Sequence, residues 1–143
     1  MKKHVAILVI ALVSGLFAQN FTTVKDFPGQ SKDILCSQTL RWIAKTFNSA
    51  NSVIQFQDAG QVVCKAIGDI PLCGICKPGH FNYTLEIDFK DGKVKTDFSG
   101  YQNGSLMRDD TFKQYAGKAE DYFKHLNESL FANLETAKAK DNW

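Results

Sequence analysis

Residues 81–98 read Phe-Asn-Tyr-Thr-Leu-Glu-Ile-Asp-Phe-Lys-Asp-Gly-Lys-Val-Lys-Thr-Asp-Phe, and this stretch decides the fold. Phe81, Tyr83, Leu85, Ile87 and Phe89 alternate with Asn82, Thr84, Glu86 and Asp88, the period of two that a strand with one buried face imposes. Asp91-Gly92 is a two-residue turn, and Val94, Thr96 and Phe98 carry the apolar face onto the next strand. With Lys90 opposite Lys93, the other face pairs Asp88 with Lys95, Glu86 with Asp97 and Thr84 with Ser99. One side is packed and the other wet, so the sheet is antiparallel and covered on one face.

Upstream of this hairpin, residues 52–57 and 61–67 read as two more strands joined by Asp58-Ala59-Gly60. A three-residue loop with a left-handed Gly60 places Phe56 opposite Val62 and Ile54 opposite Cys64, so Ile54, Phe56, Val62, Cys64 and Ala66 share the packed face. Slipping by one residue would set Lys65 opposite Ile54. Residues 21–27 are β-rich and end at Pro28-Gly29. Ser31 then caps a helix with Asp33 in its first turn, whose stripe is Cys36, Leu40, Ile43 and Phe47, widened by Ile34 and Trp42. Residues 48–51 are a polar turn and 101–110 a loop. A long amphipathic helix follows, capped by Asp109 or Asp110, running to about Ala137, with Phe112, Tyr115, Ala116, Ala119, Tyr122, Phe123, Leu126, Leu130, Phe131 and Leu134 inward. The tail 138–143 frays.

The order is strand, helix, four strands, helix: an α+β domain over residues 19–137, with a single antiparallel five-stranded sheet and two helices packed on one face. Residues 1–18 stand apart from it. Lys2 and Lys3, the apolar run from Val5 to Val13 and Ala18 have the pattern of a secretory signal peptide cut after Ala18. The protein is therefore expected outside the cytoplasm, periplasmic or extracellular, with no membrane span once the signal is gone. The full chain carries 17 Lys plus Arg against 15 Asp plus Glu, and the cut removes two lysines and no acid, leaving 15 against 15. A neutral domain lacks the cationic surplus from which nucleic-acid binders draw their affinity, so no nucleic-acid partner is expected.

The exported start, the helix at 31–47, the strands around Asp58-Ala59-Gly60 and the hairpin Phe89-Lys90-Asp91-Gly92-Lys93 together resemble an exported bacterial domain-of-unknown-function family with a TATA-binding-protein-like (TBP-like) fold. The likeness runs over residues 21–101. It implies a β-α-β4-α unit outside the cytoplasm and brings no activity with it. A DNA reader of that shape uses an uncovered sheet face with cationic groups and apolar wedges. Here the hairpin's open face presents Thr84, Glu86, Asp88, Lys93, Lys95 and Asp97, with Asn82 and Ser99 at its margins, mixed in sign and without aromatics.

Four cysteines in an exported chain read first as disulfides, with three possible connectivities. Cys36 with Cys64 and Cys73 with Cys76 is the preferred pairing, since Cys36 and Cys64 both fall on core-facing positions. Two buried, inert thiols are the simpler alternative for Cys36 and Cys64. Cys73-Gly74-Ile75-Cys76 has redox spacing, but Lys77-Pro78-Gly79 leads into a strand, so no helix N-terminus lowers a thiol pKa. A metal set of Cys64, Cys73, Cys76 and His80 is a further alternative. His125 falls on the polar side of the last helix, and neither it nor His80 has a nucleophile at recognisable spacing.

No catalytic constellation emerges, and no cofactor is implied. The expectation is a small exported, non-enzymatic domain that binds a protein or small ligand of the cell envelope through its open sheet face or loops. A metal or thiol-redox protein and a small inhibitor of an exported enzyme are the alternatives.

Overall fold

The computed structural model describes residues 20–58, 60–70, 79–100 and 109–140. The elements in chain order are β1 (Phe21–Asp26), α1 (Lys32–Thr46), α2 (Ala50–Val53), β2 (Ile54–Gln57), β3 (Gln61–Ile70), β4 (Gly79–Lys90), β5 (Lys93–Ser99) and α3 (Asp109–Lys140). The five strands make one sheet in the order β1-β5-β4-β3-β2, with every pairing antiparallel. The first strand thus lies beside the last. The chain must cross the sheet between β1 and β2, and α1 makes that crossing.

Alternation builds the β4–β5 hairpin as expected, with Asp88 facing Lys95, Glu86 facing Asp97 and Lys90 facing Lys93. Gly92 takes φ +71° in its turn, a conformation costly for any residue with a Cβ. This turn is also tied to the start of α1. Asp91 Oδ1 accepts from the Lys32 amide at 2.9 Å, and the Gly92 amide donates to the Gln30 carbonyl at 2.7 Å. Ser31 caps α1, its hydroxyl accepting from the Ile34 amide.

The buried face of α1 is turned from the expected stripe. Leu35, Cys36, Thr39, Trp42 and Ile43 are buried, Leu40 and Phe47 are half-buried, and Ile34 is exposed. The reason lies in α3, which α1 must also contact: Trp42 Nε1 donates to Ser129 Oγ at 3.0 Å, and Asn133 Nδ2 donates to the Gln38 carbonyl. Serving both the sheet and a neighbouring helix rotates the stripe toward α3.

Helix α3 reaches Lys140, beyond the expected end at Ala137. The side chains of Asp109, Asp110, Phe112, Tyr115 and Ala116 lie outside the described residues. Its buried line is Ala119, Phe123, Asn127, Leu130 and Leu134, flanked by Phe131. Phe123 stacks on Phe98 at 4.3 Å and meets Phe21, Phe81 and Tyr83 edge-on or tilted, so aromatic rings fill the space between α3 and the sheet. Asn127 is polar within this line, which the apolar period could not reveal.

The β2–β3 hairpin departs most from expectation. The Asp58 amide donates to the Gln61 carbonyl at 2.9 Å, and Asp58 Oδ1 accepts from the Gly60 and Gln61 amides at 2.7 and 2.8 Å. The turn is one residue tighter than the expected loop, and Gly60 is not among the positive-φ glycines of the described residues. Left uncorrected, this register would put Ile54 opposite Lys65 and out of the core. A β-bulge at Gln55 resets it: Gln57 faces Val62, Phe56 faces Val63, and Ile54 returns to face Cys64. Ile54 packs on the core, as expected, but Phe56 turns to the other side of the sheet. The short α2 and a β2 that begins at Ile54 replace the expected turn at 48–51 and strand start at residue 52.

Candidate binding face

All helices lie on one side of the sheet. The opposite side is a solvent-facing surface whose residues are fixed by strand alternation and register. Thr84, Glu86, Asp88, Lys93, Lys95 and Asp97 all stand on it. The edge strand β1 extends it with Thr22, Val24 and Asp26, and β3 with Gln61, Val63, Lys65, Ile67 and Asp69.

The charges fall in rows across the strands. Gln61, Asp88, Lys95 and Val24 form one row, in which Lys95 Nζ pairs with Asp88 Oδ2 at 3.3 Å and Gln61 Nε2 donates to Asp88 Oδ1 at 2.8 Å. The next row is Phe56, Val63, Glu86, Asp97 and Thr22, with Thr22 Oγ1 donating to Asp97 Oδ1 at 3.0 Å. Toward the turn, Lys93 meets Asp26 at 3.6 Å. Two shallow depressions flank the acidic row. One of about 320 Å³ is lined by Lys65, Ile67, Asn82 and Thr84, and one of about 430 Å³ by Val24, Asp88, Lys90, Lys93 and Lys95.

The bulge adds what the alternating pattern missed. Phe56 stands on this face at 49% exposure, with Val24 at 55% and Ile67 at 65%, so the face carries an aromatic after all. The only signal in the sequence was the surplus residue between Ile54 and the Asp58 turn.

Cys36 and Cys64 both lie buried on the helix side, as expected, but as free thiols, and the preferred disulfide between them is not formed. Cys36 Sγ donates to the Asp58 carbonyl at the end of the hairpin, while Cys64 sits three residues into β3, about 10 Å further along at the rise of a strand. Burial pushes both thiols up, Cys64 to about 11; for Cys36 the carboxylates of Asp33 and Asp58 add to the effect. The shift runs opposite to the lowered pKa that activates a reactive cysteine.

Cys73 and Cys76 lie outside the described residues, as does the His80 side chain. The register still separates Cys64 from His80: Cys64 faces Leu85, five residues along β4 from His80, or about 16 Å. With zinc–ligand bonds of about 2 Å, Cys64 cannot complete a set that contains His80. Among the described residues no group of three or more His, Cys, Asp or Glu side chains could hold a metal ion. His125 is exposed on α3, 3.5 Å from Glu128.

A family model described as a domain of unknown function (DUF4468) with TBP-like fold matches residues 21–102, more than half of the chain. The chain belongs to the DUF4468 family. No curated protein sequence matches it. Two solved structures share the fold of this DUF4468 protein. A TBP-like protein from Parabacteroides distasonis is 10% identical, covering 82% of this chain and 93% of its own, with a TM-score of 0.68. A DUF4468 family protein from Bacteroides ovatus is 13% identical, covering 80% of this chain and 85% of its own, with a TM-score of 0.63. The family and fold resemblance read from the sequence is confirmed. At these identities the likeness concerns architecture, and function must come from the face itself.

Proposed function

We propose that this DUF4468 protein is exported and acts outside the cytoplasm as a non-enzymatic binding module, taking a protein or small ligand of the cell envelope on its open sheet face. The observation that carries the reading is the bulge at Gln55, which turns Phe56 out of the core onto a face where Val24 and Ile67 are also exposed. Bulges re-aim side chains, and this one sets an aromatic ring among the charged and polar groups of the solvent-facing side.

The chemistry of the face supports a partner that is not a polyanion. Lys65, Lys90, Lys93 and Lys95 stand there against Asp26, Asp69, Glu86, Asp88 and Asp97. Export is supported by the signal pattern of residues 1–18, and among the described residues no helix is long and apolar enough to cross a membrane. The non-enzymatic reading is supported by the burial of Cys36 and Cys64 and by the position of His125 at the surface beside Glu128.

Site-specific photo-crosslinking in the producing cell tests the proposal. A crosslinker at Glu86, on the open face, is expected to give a discrete adduct, and one at Lys124, on the outer side of α3, none. Adducts at Lys124 alone would overturn it, and intact residues 1–18 on a protein that stays in the cytoplasm would overturn the export reading.

A further inference from the structure

The cut that releases the domain also sets its first residue. Cleavage after Ala18 leaves Gln19 with a free α-amine, and Asn20 and Phe21 follow it. Asn20 is exposed, whereas Phe21 opens β1 and packs half-buried on the core, its ring centre 6.1 Å from those of both Phe98 and Phe123. Gln19 and Asn20 alone therefore separate the new terminus from the aromatic layer under the sheet.

A glutamine in first place has a reaction open to it that its neighbours Ala18 and Asn20 lack. The α-nitrogen and the side-chain carbonyl carbon of Gln19 are joined through Cα, Cβ and Cγ, so attack of the amine on that carbon closes an unstrained five-membered lactam. One C–N bond forms to the α-nitrogen and the C–N bond to the side-chain nitrogen breaks. The proton shed by the amine leaves with that nitrogen as ammonia, and no oxidant or reductant is consumed. Asn20, one methylene shorter, would have to close a strained four-membered ring. A cut displaced by one residue in either direction thus abolishes the reaction.

We propose that Gln19 becomes an N-terminal pyroglutamyl residue once the signal is removed, and that this lactam guards β1. The proposal rests on the export reading and on the cut after Ala18. Aminopeptidases hold a substrate by its α-ammonium group and remove residues one at a time, and the lactam nitrogen is neither basic nor charged. Proteolysis concentrates at termini that are not tied down, and here the tie is one-sided, because β1 pairs with β5 alone. Trimming past Asn20 would take Phe21 from its place against Phe98 and Phe123, and one step more would take Thr22 with its bond to Asp97.

The test is mass spectrometry of the protein collected outside the cytoplasm of the producing cell, with its free amines dimethylated at harvest so that later cyclisation cannot hide one. The first peptide is expected to begin at residue 19, to weigh one ammonia less than its sequence requires and to carry no label on its terminal nitrogen. Gln19→Ala is expected to give a labelled terminus and, incubated with a broad-specificity aminopeptidase, to lose its first residue while the wild type stays whole. A labelled Gln19 overturns the lactam and leaves the export reading standing. An exported chain that begins at any other residue also overturns the lactam alone, whereas residues 1–18 intact on a protein kept in the cytoplasm overturn both readings. Wild type trimmed as fast as the variant overturns the protective role.

Discussion

Thr96 Oγ1, buried in β5, donates to Asn127 Oδ1 of α3 at 2.8 Å, and the Asn127 amide donates onward to Thr23 Oγ1 of β1 at 3.1 Å. One side chain thereby joins the long helix to both β1 and β5. Removing one partner of a buried hydrogen bond costs more than removing both, because the survivor is left dry and unpaired. Asn127→Ala is expected to lower unfolding stability by about 1–3 kcal/mol. Adding Thr96→Val should cost less than the sum of the single changes, as read from urea midpoints in a double-mutant cycle. Additivity would show that the bond does not contribute.

Gly68 lies opposite Phe81, and a Cβ there would stand 2.5 Å from Phe81 Cζ and 3.1 Å from Tyr122 Cε1. Gly68→Ala is therefore expected to destabilise by about 1–3 kcal/mol, although alanine suits a strand better than glycine. Phe81→Leu, costly by itself, should lose less in the Gly68→Ala background. Thermal melts of the four proteins check the coupling.

The register at the bulge predicts opposite outcomes for two neighbours. Phe56→Ser, on the open face, should change stability by no more than about 0.5 kcal/mol. Ile54→Ala, whose side chain packs on the core, should cost about 1–2 kcal/mol, less than a fully buried isoleucine would. Equal costs would mean that Phe56 is in the core and the bulge is misplaced.

The Cys64 thiol titrates near 11 in the folded chain against 9.0 for an ordinary cysteine, because burial disfavours the thiolate. The folded state therefore keeps its proton where the unfolded state has lost it. This contribution is whole below pH 9 and is lost as pH climbs from about 9 to 11, to the extent of roughly 2 kcal/mol. Burial, with Tyr122 alongside, also raises the Tyr83 hydroxyl, so alkaline stability must be compared with Cys64→Ala. The stability difference between wild type and Cys64→Ala should shrink over that interval. A constant difference would refute the assignment.

What could be read in advance follows from the physics of each element. The β4–β5 hairpin was legible because alternation over Phe81–Phe89 and a turn glycine act within a few residues, and the Ser31 cap is likewise local. The phase of α1 was not, because Thr39 is buried against partners distant in sequence that an apolar count ignores. Asn127 hid for the same reason: a polar residue enters a core line only when its bonds are met from other elements. The bulge arises from a conflict between a tight Asp58 turn and the burial of Ile54, and neither demand alone reveals it. The six named residues of the open face could be placed because strand parity suffices. Phe56 joined them only once the bulge at Gln55 was known.

The placement of β1 also orders events in time. Thr22 and its hydrogen-bond partner Asp97 are 75 residues apart in sequence, and the whole of β1 pairs with β5 alone. A chain emerging N-terminus first cannot form any of these bonds until β5 has appeared, so its first strand waits, extended, while the hairpins behind it close. Contacts this distant slow folding. A strand that pairs last is also the one whose absence leaves the other edge of the sheet, β5, open to a foreign strand.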